Sequence, residues 1–302
     1  MEETDQLRER SNRVRGARVP RHRDPQTAGN FTASFSALGK LAYAGAQVSA
    51  SVHDLRTGEE IVSIDDRVVL PTAGVGKLLL LVEVSARLTS KDVSAYGILD
   101  KTPSDAVGVA GLWQHMQAPA LPVHDIAAFI GATGDNTATN VLLRQLTLEA
   151  VHARAESLGL KRTALLDLVR EARGPDDAPQ LSVGSTHELA HLMARLARGE
   201  VVDQMTSERV MGWLAQGVDL SMVASAFGLD PLDHRNVDHN VLLVNVTGSD
   251  RGVRSEVGAF RGPRAAVSYA ASVQFEDNSL ATRLRVLEAM RALGNDILEY
   301  AH

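Results

Sequence analysis

Cysteine is absent from the 302 residues, which excludes disulfide bonds and thiolate metal sites. No apolar run approaches the roughly 18 residues that a membrane-spanning helix needs. Basic residues are outnumbered by acidic ones, and the formal net charge is -6, so the chain lacks the overall basic character typical of nucleic-acid binding. We therefore expect neither nucleic acid nor a membrane as a partner.

Residues 1–30 lack an apolar segment and contain many arginines, which begin at Arg8 and end at Arg23. This composition predicts a flexible, solvated tail, with an anion-binding arm as the alternative. It does not fit an export signal, which would need an apolar stretch. The sequence therefore predicts a cytoplasmic protein.

Hydrophobic residues make up 44% of the chain and charged residues 23%, which is typical of a globular protein with one or two domains. Apolar spacing predicts a helix over 32–44, and alternation predicts a hairpin of strands 47–55 and 60–64. The segment 75–88 is apolar on almost every side, so it is expected to form a buried central helix. Residues 92–122 give few periodic signals and indicate loop and short helix.

The second half changes character from helical to extended. Helical patterns over 124–134, 136–146, 148–160, 185–199 and 208–217 precede three strand patterns, and a last amphipathic helix covers 280–300. The two ends of the chain are therefore expected to form one antiparallel sheet with helices packed on it, an α/β (α+β) architecture. The predicted domains are a sheet domain (31–75 and 235–302) and an all-helical domain (76–234), with a cleft between them.

Three short motifs follow one another along this framework. The first is Pro71-Thr72-Ala73-Gly74-Val75-Gly76-Lys77, at the start of the buried helix. The second is Gly134-Asp135-Asn136-Thr137-Ala138-Thr139-Asn140, after a helix. The third is Val246-Thr247-Gly248, on a late strand. Each motif is weak alone, but their order and spacing are specific together.

These motifs resemble those of the class A β-lactamases, the penicillin-recognising serine hydrolases. That family carries Pro-x-x-Ser-x-x-Lys, then Ser-Asp-Asn, then Lys-Thr-Gly, and the resemblance runs from about residue 33 to the end. It implies a β-lactamase/transpeptidase-like fold. It also implies that Gly74 stands at the nucleophilic serine, Gly134 at the proton-relaying serine and Val246 at the substrate-binding lysine.

The resemblance assigns roles to the residues that remain. Lys77, Gly74, Gly134 and Asn136 become candidate catalytic residues, while Asp135, Thr247 and Gly248 become candidate ligand contacts. The backbone N–H groups of Gly74 and Ser249 would form the oxyanion hole, which does not depend on side chains.

Two parts of the family's site have no clear match. Strict spacing places Arg170 where the family keeps its deacylating glutamate, and Glu171 follows one residue later as the candidate. Arg251 and Arg254 are candidates to replace the lost cation, or else ordinary surface arginines on a strand. Thr72 would serve as a displaced nucleophile only if the loop were rearranged, so packing is the expected role.

Three functions remain open. The first is a non-hydrolysing homologue, a pseudoenzyme or a binder of a small ligand with a carboxylate or amide, without cofactor or metal. The second is an enzyme with altered non-covalent chemistry (hydrolysis, cyclisation or elimination on a β-lactam- or amide-like substrate) with Lys77 as base. The third is a zinc hydrolase, because His187-Glu188-Leu189-Ala190-His191 matches H-E-x-x-H. The oligomeric state is not predicted.

Overall fold

The computed structural model describes residues 31–235 and 240–302, so the predicted tail of residues 1–30 lies outside the described residues. The helices of the described part are α1 (Thr32–Tyr43), α2 (Lys77–Ser90), α3 (Val123–Thr133), α4 (Asn136–Leu146), α5 (Leu148–Ser157), α6 (Thr186–Ala197), α7 (Gln204–Leu214) and α8 (Leu280–Ala301). Within these ranges, no helix is both long and apolar enough to cross a bilayer.

The strands are β1 (Gln47–Asp54), β2 (Glu60–Ile64), β3 (Leu70–Pro71), β4 (Ile98–Asp100), β5 (Ala120–Pro122), β6 (Ala164–Leu165), β7 (Ser182–Gly184), β8 (Leu242–Asp250), β9 (Val253–Arg261) and β10 (Ala266–Gln274). Short 3-10 helices cover Ala73–Gly76, Trp113–His115 and Val223–Ala226. The pair β4–β5 lies where the sequence indicated loop and short helix, because strands of three residues are too short to show alternation.

The main sheet has five antiparallel strands in the order β2-β1-β10-β9-β8. Strand β1, from the N-terminal part, pairs with β10 along its whole length, from Gln47 opposite Gln274 to Asp54 opposite Val267. The prediction that both ends of the chain build one antiparallel sheet is therefore confirmed, as is the α/β (α+β) fold class.

The alternation of β1 separates two layers. Val48, Ala50 and Val52 belong to a core shared with α1 and α8, while the intervening Ser49, Ser51 and His53 belong to the opposite face. Helix α8 is tied to α1 by Asp296, whose Oδ2 accepts hydrogen bonds from Ser34 N at 2.8 Å and Ser34 Oγ at 2.6 Å.

The second core surrounds α2, whose residues 77–86 are all buried. Helices α3, α4, α5 and α7 pack around α2, and this core continues onto the sheet through Val244, Val257 and Ala270. Helix α6, inside the segment 76–234 predicted as helical, packs against β1 and β10. The sheet is thus covered by helices on both faces, and the 3-10 helix that precedes α2 meets β8 at a cleft.

Candidate functional site

A cleft of about 350 Å³ opens between the start of α2, the α3–α4 junction and β8. It is lined by seven of the predicted site residues, namely Gly74, Lys77, Gly134, Asn136, Glu171, Thr247 and Ser249. The volume lies in the range of small-ligand pockets. Four other predicted residues do not line it, and the structure gives each of them a different environment.

Lys77 is buried at the floor of this cleft. Its Nζ donates to Gly134 O at 2.5 Å and to Asn136 Oδ1 at 2.6 Å. Burial lowers the pKa of Lys77 from 10.5 to about 8, and the nearby charge of Asp135 opposes this shift. Within residues 31–235 and 240–302, the recorded hydrogen bonds of the ammonium go to two oxygen acceptors and to no hydroxyl group.

Gly134 ends α3 in a left-handed conformation, with φ of 61°, and its N–H bonds Ile130 O at 2.9 Å. This conformation turns the chain sharply into α4, so that the carbonyl of Gly134 and the side chain of Asn136 converge on Lys77. A side chain at Gly134 would be strained by the positive φ. A Cβ there would lie 3.9 Å from Lys77 Nζ.

Asp135, which was predicted to contact a ligand, lies between the cleft residues Gly134 and Asn136 in the sequence. The side chain is completely buried and does not line the cleft. Its Oδ1 caps α4 by accepting from Ala138 N at 2.9 Å, and its Oδ2 accepts from Leu112 N at 2.7 Å and Trp113 N at 2.9 Å. Asp135 therefore fixes the loop before Trp113 against α4, because buried amide groups need acceptors.

The backbone around Gly74 is in close contact with β8. Ala73, just before it, has a φ of 47°, a conformation that costs free energy in a non-glycine residue. A Cβ on Gly74 would lie 3.0 Å from Thr247 O, and a Cβ on Gly248 would overlap Thr72 O. Gly248, predicted as a ligand contact, thus does not line the cleft but lets the two backbones touch.

Thr72 does not offer a displaced nucleophile. It is buried, and its hydroxyl lies 2.7 Å from Ser182 Oγ, while Ser182 Oγ also donates to Ala73 O at 2.7 Å. The expected packing role of Thr72 agrees with these contacts, which hold the strained turn in place.

The third motif presents its threonine to the cleft. Thr247 Oγ1 donates to Asp219 Oδ2 at 2.7 Å, and Asn245, two residues earlier on β8, donates from Nδ2 to Asp219 O at 3.1 Å. Asn245 Nδ2 also donates to Glu256 Oε1 at 3.0 Å. Glu256 is completely buried, which raises its pKa to about 7 despite hydrogen bonds that oppose the rise.

The loop between β6 and β7 contributes Glu171 and two arginines. Glu171 is exposed, lines the cleft and accepts a hydrogen bond from Gly108 N–H. Arg170 and Arg173 also line the cleft, but both pair with Asp167, at 2.9 Å and 2.7 Å. The arginine at the position expected for the family's glutamate is therefore engaged in an ion pair.

Arg251 and Arg254, which were predicted as ligand contacts, do not line the cleft. Arg251 is exposed, and Arg254 Nη1 donates to the carbonyls of Asp250 at 2.8 Å and Val253 at 2.6 Å. Both lie at or next to the β8–β9 turn. Their contacts agree with the alternative that they are ordinary surface arginines on a strand.

A family model described as the beta-lactamase enzyme family matches residues 30–301. The chain belongs to this beta-lactamase enzyme family. The solved structure of a β-lactamase from Sphaerobacter thermophilus DSM 20745 is similar, with a TM-score of 0.76 at 18% identity over 89% of this chain and 96% of that chain. No curated protein sequence matches the chain.

Two further solved structures are similar to this β-lactamase family member. A class A β-lactamase from Mycobacterium abscessus has a TM-score of 0.72 at 18% identity, over 86% of this chain and 97% of that chain. A structure of PBP-A has a TM-score of 0.73 at 17% identity, over 88% and 94%. At such identities the likeness establishes the fold, so the fold implied by the motifs is confirmed, while the family model confirms membership of the beta-lactamase enzyme family.

The H-E-x-x-H segment of this β-lactamase family member does not form the site of a zinc hydrolase. Glu188 would have to act as a free general base, but its carboxylate accepts hydrogen bonds from the backbone of Lys161 and Arg162 at 2.9 Å and 3.0 Å. His187 Nδ1 lies 2.8 Å from Asp66 Oδ2, and the histidine that groups with it is His53 rather than His191. The structure thus groups His187 with His53 and Glu60, whereas the spacing on α6 paired it with His191.

The cleft residues that were not anticipated from the sequence include Asp219, Asn245 and Arg173. Asn245 had a usable signal, because residues two apart on a strand share a face and Thr247 was already a candidate. Asp219 and Arg173 lie on irregular segments, where no periodicity fixes the direction of a side chain.

Replacing Gly74 by serine is expected to lower the free energy of unfolding by about 1 kcal/mol, because its Cβ meets Thr247 O at 3.0 Å. We also expect no covalent labelling of this variant by a penicillin-based probe, since Gly134 supplies no relay hydroxyl. Denaturant titration and intact-protein mass spectrometry measure the two effects. Gly74→Ala is the control with a Cβ but no hydroxyl, and labelling of Gly74→Ser alone would contradict the second expectation.

Proposed function

We propose that this β-lactamase family member binds a small ligand with an amide or carboxylate group in the cleft and does not form an acyl-enzyme. The environment of Lys77 carries the proposal. Its Nζ is held by Gly134 O and Asn136 Oδ1, and the residue expected to provide the nucleophile is Gly74. Nucleophilic catalysis needs a hydroxyl beside its base, and a carbonyl and an amide oxygen cannot replace that hydroxyl.

The cleft retains groups that suit a carbonyl-bearing ligand. With a pKa of about 8, Lys77 is mostly protonated at pH 7 and attracts a carboxylate or a carbonyl oxygen. The backbone N–H groups of Gly74 and Ser249 are the expected additional donors. Arg170 and Arg173 are both paired with Asp167, and Arg170 Nε also lies 3.1 Å from Asp177 Oδ1, so we expect a ligand with a single carboxylate or a neutral amide rather than a polyanion.

A covalent probe tests the absence of acylation. After incubation with a fluorescent penicillin, we expect the wild-type protein to show no mass adduct and no label on a denaturing gel. Ligand-observed NMR with benzylpenicillin and its hydrolysed product should nevertheless detect reversible binding that Lys77→Ala weakens and Lys40→Ala does not. A stoichiometric adduct would overturn the non-acylating assignment, and absence of binding by both compounds would overturn the ligand class.

The lowered pKa of Lys77 favours one alternative, an enzyme that uses this amine as a general base in a non-covalent reaction. A base titrating near pH 8 is matched to neutral conditions. Turnover of a chromogenic cephalosporin without any adduct, lost in Lys77→Met and rising with pH towards 8, would favour the alternative over simple binding.

A cytoplasmic location stays a prediction, and cell fractionation measures it.

A further inference from the structure

A cluster of four ionisable side chains lies outside the cleft, where α6 meets the β1–β2 hairpin. It consists of His53 on β1, Glu60 on β2, Asp66 after β2 and His187 in the first turn of α6, and we call it the hairpin cluster. None of its four members lines the cleft. From its geometry we infer that the hairpin cluster is a binding site for a divalent transition metal ion of the zinc type.

The distances within the hairpin cluster are close to those of a metal site. One ligand atom each from His53, Glu60 and His187 lies within 4.8 Å of the others. His187 Nδ1 is 3.5 Å from Glu60 Oε1 and 2.8 Å from Asp66 Oδ2. In tetrahedral zinc sites with bonds of about 2.1 Å, neighbouring ligand atoms are about 3.4 Å apart. Adjustments of about 1.4 Å or less would therefore bring His53, Glu60 and His187 around one ion, and Asp66, which lies against His187, is the candidate for the fourth ligand.

The donor chemistry also fits a zinc-type ion. Two imidazoles and two carboxylates form a mixed nitrogen and oxygen set, which zinc accepts and which contains no soft sulfur ligand. The two carboxylates balance the charge of a divalent cation, and they outweigh the repulsion expected from the N-terminus of α6. His53 and Asp66 are buried, while His187 and Glu60 are about one-third exposed, so an ion can enter from solvent.

The surrounding structure holds these side chains in position. The β1–β2 pairing shifts register between Val52 and His53, and such bulges redirect side chains at binding sites. Ser51 Oγ lies 2.9 Å from His53 Nε2 and 3.4 Å from Glu60 Oε1, as outer partners of metal ligands commonly do. His187 N donates to Asp66 O at 2.9 Å, which fixes α6 against the loop after β2.

A bound ion would join three separate segments, namely the hairpin, the loop at Asp66 and α6. Because the folded chain brings these ligands together and the unfolded chain does not, the ion would stabilise the folded state. This role is structural and independent of what the cleft binds.

Titration of chelator-treated protein with Zn²⁺ tests the inference. We expect uptake of one equivalent by calorimetry, a higher melting temperature with Zn²⁺, and visible absorption typical of tetrahedral coordination when Co²⁺ is used instead. His187→Ala and Glu60→Gln should each weaken Zn²⁺ binding at least about tenfold, as the loss of a ligand requires.

The matched control is His191→Ala, one turn further along the same helix, which should bind Zn²⁺ as the wild type does. Circular dichroism and the melting temperature without metal show whether each variant is folded, and the exposed Glu60→Gln keeps the test valid if His187→Ala unfolds. Absence of stoichiometric uptake, unchanged affinity in both ligand variants, or an equal loss in His191→Ala would each overturn the inference.

Discussion

Replacing Lys77 by methionine is expected to raise the free energy of unfolding at pH 7 by about 1–2 kcal/mol, although the residue lies at the floor of the cleft. Holding a buried ammonium with a pKa of about 8 instead of 10.5 costs about 3 kcal/mol at this pH. Methionine removes that cost. It also leaves Gly134 O and Asn136 Oδ1 without their donor, which lowers the free energy of unfolding by about 1–2 kcal/mol. The relief of the buried charge is the larger effect.

The pH dependence makes this prediction specific. Because the pKa of Lys77 is lower in the folded protein, the unfolded chain binds more protons between pH 8 and 10.5, and wild-type stability rises with pH across that window. The advantage of Lys77→Met should therefore shrink by about 3 kcal/mol from pH 8 to 10.5 and change sign between about pH 9 and 10. Denaturant titrations at several pH values measure it.

The exposed Lys40→Met is the control for the loss of a lysine charge, and its effect on the free energy of unfolding at pH 7 should be small. A difference between Lys77→Met and wild type that stays constant from pH 7 to 10.5 would show that the ammonium is solvated rather than buried. That result would also remove the support for a base titrating near pH 8.

Replacing Glu256 by glutamine is expected to change the free energy of unfolding by a similar amount, but between pH 4.5 and 7. The Glu256 carboxylate accepts hydrogen bonds from Tyr269 Oη at 2.7 Å and from Ala224 N at 3.3 Å. Burial has the larger effect and raises the pKa of Glu256 from 4.5 to about 7. The folded protein therefore binds more protons than the unfolded chain between pH 4.5 and 7, so this carboxyl lowers stability progressively as pH rises through that window.

Relative to the wild type, Glu256→Gln should gain about 3 kcal/mol of stability between pH 4.5 and 7, since the amide cannot ionise. At pH 4.5 the variant is expected to be the less stable of the two, because its amide nitrogen faces the N–H of Ala224. The difference between variant and wild type is the quantity to measure, because it cancels the titration of other groups. Glu288→Gln on the exposed side of α8 is the control, and a pH-independent difference for Glu256→Gln would contradict the prediction.

The elements that sequence predicted well are those with strong periodicity. The apolar run after Lys77 indicated a buried helix, and the alternation in 47–55 indicated β1, because burial on all sides and on one side give different patterns. The convergence of Lys77, Gly134 and Asn136 was an implication of the family resemblance, and the left-handed conformation of Gly134 explains how its carbonyl and Asn136 come together.

Side-chain direction was the part that sequence could not supply. Asp135 is next to two cleft residues, yet it turns inward because the N–H groups of Ala138, Leu112 and Trp113 need an acceptor. The loop carrying Leu112 and Trp113 has no periodic signal, so those donors could not be anticipated.

The hairpin cluster shows the same limitation. The spacing of His187 and His191 placed both on one face of α6, but which face meets the sheet depends on long-range packing. The β1–β2 hairpin then supplies His53 and Glu60 from a segment more than one hundred residues earlier in the chain. Sequence spacing singled out His187 but could not show that His53 and Glu60 lie beside it.

The contact between Gly74 and β8 has a consequence for the order in which substitutions can be tolerated. A variant that carries a side chain at this position must shift the strand by a few tenths of an ångström, or compress a contact of 3.0 Å against Thr247 O. Gly248 lets the two backbones meet at this point. A hydroxyl introduced at Gly74 therefore brings strain unless β8 has moved first. Substitutions that loosen the contact with β8 are thus expected to precede any that add a side chain at Gly74.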